Sequence, residues 1–502
     1  MTNPLFDRLF AAHADSAAPF LLRPDGTPIA YRDFLVRAAR LAHALSGLGL
    51  EPGDRVAVQI DKHPDTLALY AACVQAGLVY LPLNTAYTPQ ELDYFVGNSG
   101  AALLVTTEAS APALVEIAAR HGAQAQTLED GTGTLSDLAE GQPDSFRTVS
   151  RAEDDLAAIL YTSGTTGRSK GAMLTQANLL SNALTLAEAW RFTAEDVLLH
   201  ALPVYHTHGL FVATNTILAT GGAMILLPKF DADEMIRLMP RATTMMGVPT
   251  FYTRLLGRED FTRELAEGIR LFVSGSAPLL AETHRDFEAR TGHRILERYG
   301  MTETNMSCSN PYEGERRPGT VGPPLPGVEA RVRGEDGAVL PDGEIGVLEV
   351  RGPNVFRGYW RMPEKTAEEM REDGFFITGD LAQISEDGYV TIVGRAKDLV
   401  ISGGLNVYPK EVEEALDALP GVVESAVIGV PHPDLGEAVV AVVVAGPAEP
   451  PSPEALASGL SGLARFKQPR HYALVEELPR NTMGKVQKAQ LRETFAGLFN
   501  DG

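Results

Sequence analysis

Cysteine is nearly absent: Cys73 and Cys308 are the only two in 502 residues. One pair builds neither a disulfide scaffold nor a metal-thiolate framework, and so few thiols suit a reducing cytosol; a cytoplasmic location is expected. Positive charge is also in deficit. Lys and Arg number 43 against 65 Asp and Glu, a formal net charge of −22. Such a chain lacks the basic surface that general nucleic-acid binding needs, so no nucleic-acid partner is expected. A local basic pocket for a small anion is still allowed. Long unbroken apolar runs are missing too. The longest, Leu210 to Leu227, is interrupted by Thr214, Asn215, Thr216, Thr220, Gly221 and Gly222. It reads as buried helix, turn and strand, not as a membrane span. Met1 to Phe10 has no basic stretch ahead of an apolar core, so no signal peptide is expected.

What is present is ordinary globular sequence, 44% hydrophobic and too long for one core, so two or more domains are expected. The first third alternates helix and strand signals. Phe34, Ala38, Leu41 and Leu45 share a helical face, Val56 to Ile60 reads as a strand, residues 64–76 as a helix, and Val79 to Leu83 and Ala101 to Thr106 as strands. Thr88-Pro89-Gln90-Glu91 is a capping-box pattern with proline at the first helical position. The alternation predicts a layered α/β core. Further on, 174–190 reads as a helix, and 319–394 as glycine-rich turns and short β segments forming a distorted or barrel-like subdomain. Beyond Gly394-Arg395-Ala396-Lys397-Asp398, helices at 409–419 and 454–465 and strands at 422–430, 437–445 and 472–476 suggest a separate α+β domain.

The chemistry-bearing stretch is Tyr161-Thr162-Ser163-Gly164-Thr165-Thr166-Gly167-Arg168-Ser169-Lys170-Gly171. The apolar run Leu156 to Leu160 leads into it as a buried strand. Glycines let the backbone turn N–H groups toward an anion, hydroxyls add donors, and Arg168 and Lys170 add charge. A polyphosphate is the simplest ligand; a flexible turn between core strands is the alternative. The loop is not a Walker loop, because Ser169 stands where the second glycine belongs and Gly171 follows Lys170. Two more strand-to-loop transitions, at 269–277 and 295–304, occur where open α/β sheets commonly bind ligands. His206 and His208 have metal-ligand character, but no nearby Cys or carboxylate completes a site, and a pocket-lining loop is the preferred reading.

The ordered set Tyr161–Gly171, Tyr299-Gly300-Met301-Thr302-Glu303, Thr378-Gly379-Asp380, Gly394-Arg395 and Pro479-Arg480-Asn481-Thr482-Met483-Gly484-Lys485 resembles the acyl-adenylate-forming superfamily of acyl-CoA synthetases, luciferases and peptide-synthetase adenylation domains. The resemblance spans nearly the whole chain; Ser169 departs from the proline many members carry. Within that group, His206-Thr207-His208-Gly209, Gly247 to Arg254, Ser274-Gly275-Ser276-Ala277 and Glu297 to Met306 resemble the malonyl-CoA synthetases. The resemblance implies a large multi-subdomain N-terminal α/β domain, residues 1–394, a hinge at 395–397 and a small mobile C-terminal α+β domain, 398–502. It implies ATP and CoA as cosubstrates, Mg²⁺, and a malonyl-adenylate intermediate, with methylmalonate as a second acid. A short-chain monocarboxylate ligase and a nonenzymatic nucleotide-binding regulator are the rival readings.

Residue roles follow from the same resemblance. Thr162, Ser163, Gly164, Thr165, Thr166, Gly167, Arg168 and Lys170 would hold the β- and γ-phosphates. Thr302 would approach the α-phosphate and Glu303 would bind Mg²⁺. Asp380, assisted by Arg395, would bind the ribose; Gly275, Ala277, Glu297 and Tyr299 would shape the adenine site. Lys485 would be catalytic, its ammonium contacting both the acyl carboxylate and the α-phosphate. A second carboxylate needs a cation when buried. Arg254 is the expected partner, with Ser276 donating and His206, Thr207 and Met306 lining the pocket. Lys397 matches the hinge, and Ser402, Gly403 and Gly404 would face the CoA tunnel. A lysine acetyltransferase acting on Lys485 would remove the required charge.

Overall fold

The computed structural model describes residues 2–162, 169–403, 405–446, 450–481 and 484–499. The first large sheet runs Gly358–Tyr359, Lys170–Thr175, Leu156–Thr162, Val79–Pro82, Arg55–Gln59, Leu103–Thr106, Gln124–Thr127. The strands from Leu156–Thr162 to Gln124–Thr127 pair in parallel, and their continuous burial fits a sheet covered on both faces. The capping box forms: Thr88 N donates to the Glu91 carboxylate at 2.8 Å, and helix Pro89–Ser99 ends at a left-handed Gly100.

A second, eight-stranded sheet runs Asn305–Ser309, Leu296–Met301, Leu271–Ser274, Thr244–Gly247, Val197–His200, Ala223–Leu226, Pro19–Leu22, Pro28–Ala30. The first strand of the chain therefore joins the second sheet, a pairing no local pattern reveals. The interrupted apolar stretch folds as expected. It gives a π-helical turn His208–Thr214, helix Asn215–Thr220, left-handed Gly221 and strand Ala223–Leu226. The helix expected at 174–190 is Gln176–Ala189.

Residues 329–395 form a four-stranded antiparallel sheet of Glu329–Arg333, Gly346–Arg351, Phe376–Ile384 and Val390–Arg395. After it, helix Pro409–Asp417 packs on strands Val422–His432, Gly436–Ala445 and His471–Val475, burying Val412, Leu416, Val427, Val439 and Val443. The opposite face of these strands buries Ile428, Val440 and Val442 against Leu478 and Leu491. The helix expected over 454–465 is only Pro453–Gly459. Gly459 lies flush on Leu419, and Ser-Gly pairs at 458–459 and 461–462 are weak helix formers. Among the described residues, no helix is long and apolar enough to cross a membrane. Both cysteines are buried and free.

Candidate active site

Strand register sets the site. Gly247 pairs with Ser274, Ser274 with Glu297, and Met246 with His200, so the carboxyl ends of three parallel strands lie level while the fourth, Leu296–Met301, runs on past them. The segments at those ends carry the 206–209, 247–254 and 274–277 stretches, as open α/β sheets dictate, while Asp380 and Arg395 come from the four-stranded sheet.

On the acyl side, Ser276 takes φ = 71°, a left-handed conformation that costs a residue with a side chain about 1–2 kcal/mol. It puts Oγ 3.2 Å from Nδ1 of His208. Beside it, Arg298 is 4% exposed, and among the described residues Nε and Nη2 have no hydrogen-bond partner. Gly275 makes room for it, since a Cβ there would sit 2.3 Å from the guanidinium carbon. Burial pulls the Arg298 pKa down to about 9. Burial, then the Lys485 and Arg298 charges, push His206 down to about 3; His208 is also held neutral, by burial first and Arg298 next. Thr207 is buried, its hydroxyl without a partner among the described residues, and the buried Met306 lies against Gly300. Among the described residues no group of three or more His, Cys, Asp or Glu is placed to hold a metal.

On the nucleotide side, Asp380 is cross-strand from Arg395, whose Nε lies 2.6 Å from Oδ1, and Tyr299 donates to Oδ2. Burial raises the Asp380 pKa, opposed by Arg395. Glu303, also buried, accepts from Tyr359 Oη at 3.0 Å and Thr162 Oγ1 at 3.4 Å. Thr302 beside it is half-buried. Glu297 is buried 3.5 Å from His284, and burial raises its pKa. Ala277 is half-buried on the Ser276 loop. Ser163, Gly164, Thr165, Thr166, Gly167 and Arg168 lie outside the described residues, as do Gly404, Thr482 and Met483. Lys170, where the loop rejoins the sheet, is buried: its ammonium donates to Tyr359 Oη at 3.0 Å and Glu369 at 3.1 Å.

Lys485 comes from the C-terminal region. Its backbone N–H donates to Asn481 Oδ1 at 3.0 Å, and Gly484 packs near Thr250 of helix Pro249–Leu256. The residue is exposed, yet enough protein surrounds its ammonium to lower its pKa. Desolvation leads, Arg395 adds to it, and Asp380 and Glu303 oppose it. Lys485, Asp380 and Glu303 thus share one field. Lys397 is exposed in the turn Ala396–Asp398. Ser402 is buried, and Gly403, at φ = 59°, donates to Leu435 O at 2.9 Å.

Arg254 requires a correction. It is exposed, with its guanidinium 5.7 Å from the Phe230 ring, and so is not the buried cation expected beside Ser276. Arg298 has that environment. It stood within the Glu297–Met306 stretch, and the available signal was an arginine between two motif residues on a strand otherwise destined for burial. Tyr359 and Glu369, which brace Glu303 and Lys170, lie outside every motif.

Comparison with known proteins agrees with this geometry. The AMP-binding enzyme family matches residues 6–360, and its C-terminal domain family matches 411–485. A malonate–CoA ligase of Arabidopsis thaliana is 34% identical over 98% of this chain and 88% of its own. A sulfoacetate–CoA ligase of Cupriavidus necator is 37% identical over 98% of each chain. The crystal structure of ATP-bound MatB from Rhodopseudomonas palustris superimposes with a TM-score of 0.98 at 58% identity, covering 99% of this chain and 100% of that one. The chain belongs to the AMP-binding enzyme family.

Proposed function

We propose that this protein is an ATP-dependent malonate–CoA ligase forming malonyl-CoA, AMP and pyrophosphate through malonyl-adenylate. The observation that carries the choice of acid is Arg298: a buried guanidinium beside the Ser276–His208 pair, two of whose nitrogens have no hydrogen-bond partner among the described residues. Such a cation is costly to keep unless an anion arrives to pair with it. Malonate brings a second carboxylate suited to a bidentate pair with Arg298, with Ser276 adding a donor. The two relatives whose acids bear a second anionic group, malonate and sulfoacetate, support the same reading. Thr207 and Met306 bound the space at the central carbon, where methylmalonate adds a methyl group.

In adenylation, the other malonate carboxylate attacks the α-phosphorus of ATP and pyrophosphate leaves. The substrate is its own nucleophile, so the protein aligns anions and stabilises charge. Lys485 bridges the attacking carboxylate and the α-phosphate; Thr302 approaches the same phosphate. Asp380 and Arg395 take the ribose, Glu297, Tyr299, Gly275 and Ala277 shape the adenine site, and Thr162 with the loop that follows it flanks the terminal phosphates. Glu303 fits a Mg²⁺ site: among the described residues it accepts from the neutral hydroxyls of Thr162 and Tyr359, leaving its charge available. The ion would neutralise phosphate charge there, with ATP oxygens completing its shell. CoA thiolate then displaces AMP, after the C-terminal domain turns about Lys397 and brings Ser402 and Gly403 to the acyl group. A lysine acetyltransferase acting on Lys485 would silence the first step, and a cytoplasmic location completes the reading. The test is carboxylate-dependent ATP–pyrophosphate exchange and CoA thioester formation with malonate, methylmalonate, acetate and propionate. Malonate leads the panel if the reading holds; preference for a monocarboxylate overturns it.

A further inference from the structure

Behind the acyl pocket lies a buried lysine that the reaction does not use. Lys62 follows strand Arg55–Gln59 of the seven-stranded sheet, is 8% exposed, and has no carboxylate within salt-bridge distance among the described residues. Its Nζ lies 2.8 Å from His200 Nδ1, 2.8 Å from His200 O and 2.9 Å from Leu202 O. His200 ends its strand in the other large sheet, so the contact ties the two sheets together at their ligand-binding edges.

The proton inventory is determinate. His200 Nε2 lies 2.9 Å from Gly209 O, and a carbonyl only accepts, so Nε2 carries the hydrogen. Burial and the neighbouring Lys62 keep the ring neutral. Its Nδ1 is then an acceptor, so all three contacts of Lys62 are donations, the pattern of an ammonium; the three acceptors oppose the burial that lowers the Lys62 pKa. Gly209 O also accepts from Thr214 Oγ1 at 2.9 Å, and Gly209 is so close to Pro203 that a Cβ would lie 2.1 Å from the Pro203 oxygen. The loop from His200 to Gly209 is thereby closed on itself. Its start is held by Lys62, its end by the His200 ring, and His206, Thr207 and His208 project from the segment between.

We propose that Lys62 is a positioning residue for the dicarboxylate pocket: through His200 it fixes the 200–209 loop, and with it the histidine that meets Ser276. The inference rests on the malonate reading, and malonate turnover by the unmodified enzyme tests that reading first and separately. Full-length Lys62→Met and Lys62→Ala are assayed by malonate-dependent pyrophosphate exchange. Lys62→Met should raise the malonate KM about 10- to 100-fold, the scale on which groups acting from behind a binding residue operate. The ATP KM should move less than about twofold, and propylamine should restore Lys62→Ala toward the parent value while propanol does not. An unchanged malonate KM, equal shifts for both substrates, or no amine rescue overturns the proposal. Should neither variant fold, ¹⁵N-histidine NMR of the unmodified enzyme decides. A neutral His200 protonated at Nε2 supports the relay, and protonation at Nδ1 refutes it.

Discussion

Replacing Arg298 by methionine separates recognition from folding in opposite directions. The guanidinium is buried, and among the described residues two of its nitrogens have no partner. In the enzyme without substrate this arrangement is a liability, because each buried unsatisfied donor costs about 1–3 kcal/mol. Arg298→Met removes those donors while keeping much of the apolar stem, so thermal unfolding should move upward by a few degrees. With malonate bound, the same change leaves a buried carboxylate without its cation, a loss of about 3–5 kcal/mol. At 1.4 kcal/mol per factor of ten, kcat/KM for malonate should fall roughly 100- to 5,000-fold. Butyrate, which has no second carboxylate, should lose little. The pH profile offers a second readout. The malonate kcat/KM needs the charged guanidinium, and burial lowers the Arg298 pKa, so it should decline at alkaline pH. The butyrate profile measured in parallel corrects for Lys485, whose pKa is also lowered. The assays are pyrophosphate exchange and differential scanning fluorimetry. A malonate loss below about tenfold, or equal losses for both acids, would refute the assignment.

Three further outcomes follow from the same site. Lys485→Ala should cut malonyl-adenylate formation by roughly 100- to 1,000-fold, while thioester formation from supplied malonyl-adenylate is comparatively preserved; single-turnover assays of each half-reaction distinguish them. Gly275→Ala would put a methyl group 2.3 Å from the Arg298 guanidinium carbon, so malonate kcat/KM should fall by at least about tenfold, with butyrate less affected in the same exchange assay. Lys397→Pro should slow thioester formation more than adenylation, by roughly tenfold, because it stiffens the turn Ala396–Asp398; equal slowing in stopped-flow measurements of both steps contradicts a hinge there.

Much of this was legible without coordinates. The capping box at Thr88, the helix–turn–strand reading of 210–227 and the strand leading into the 161–171 loop are local patterns. They formed because short-range hydrogen bonding and apolar periodicity agree with the fold. The end of the helix at Gly459 was less legible, because its packing against Leu419, forty residues earlier in the chain, helps set the boundary. Arg254 and Arg298 show the harder limit. Both lie in motif stretches, and a side chain's charge is the same on an exposed helix face as in a buried strand.

By itself, the sequence determined the α/β class and the adenylate-forming motif set, because those motifs are contiguous and their backbone requirements are local. It also singled out Asp380, Arg395 and Lys485 as candidates, which the structure brings into one electrostatic field. Only the tertiary structure decided which arginine is desolvated, that Lys62 reaches His200 across two sheets, and that Tyr359 and Glu369 brace Glu303 and Lys170. The reason is physical. Burial and proton placement depend on strand register and on which distant segments pack together, and residues 62 and 200, or 303 and 359, become neighbours only when the sheets assemble.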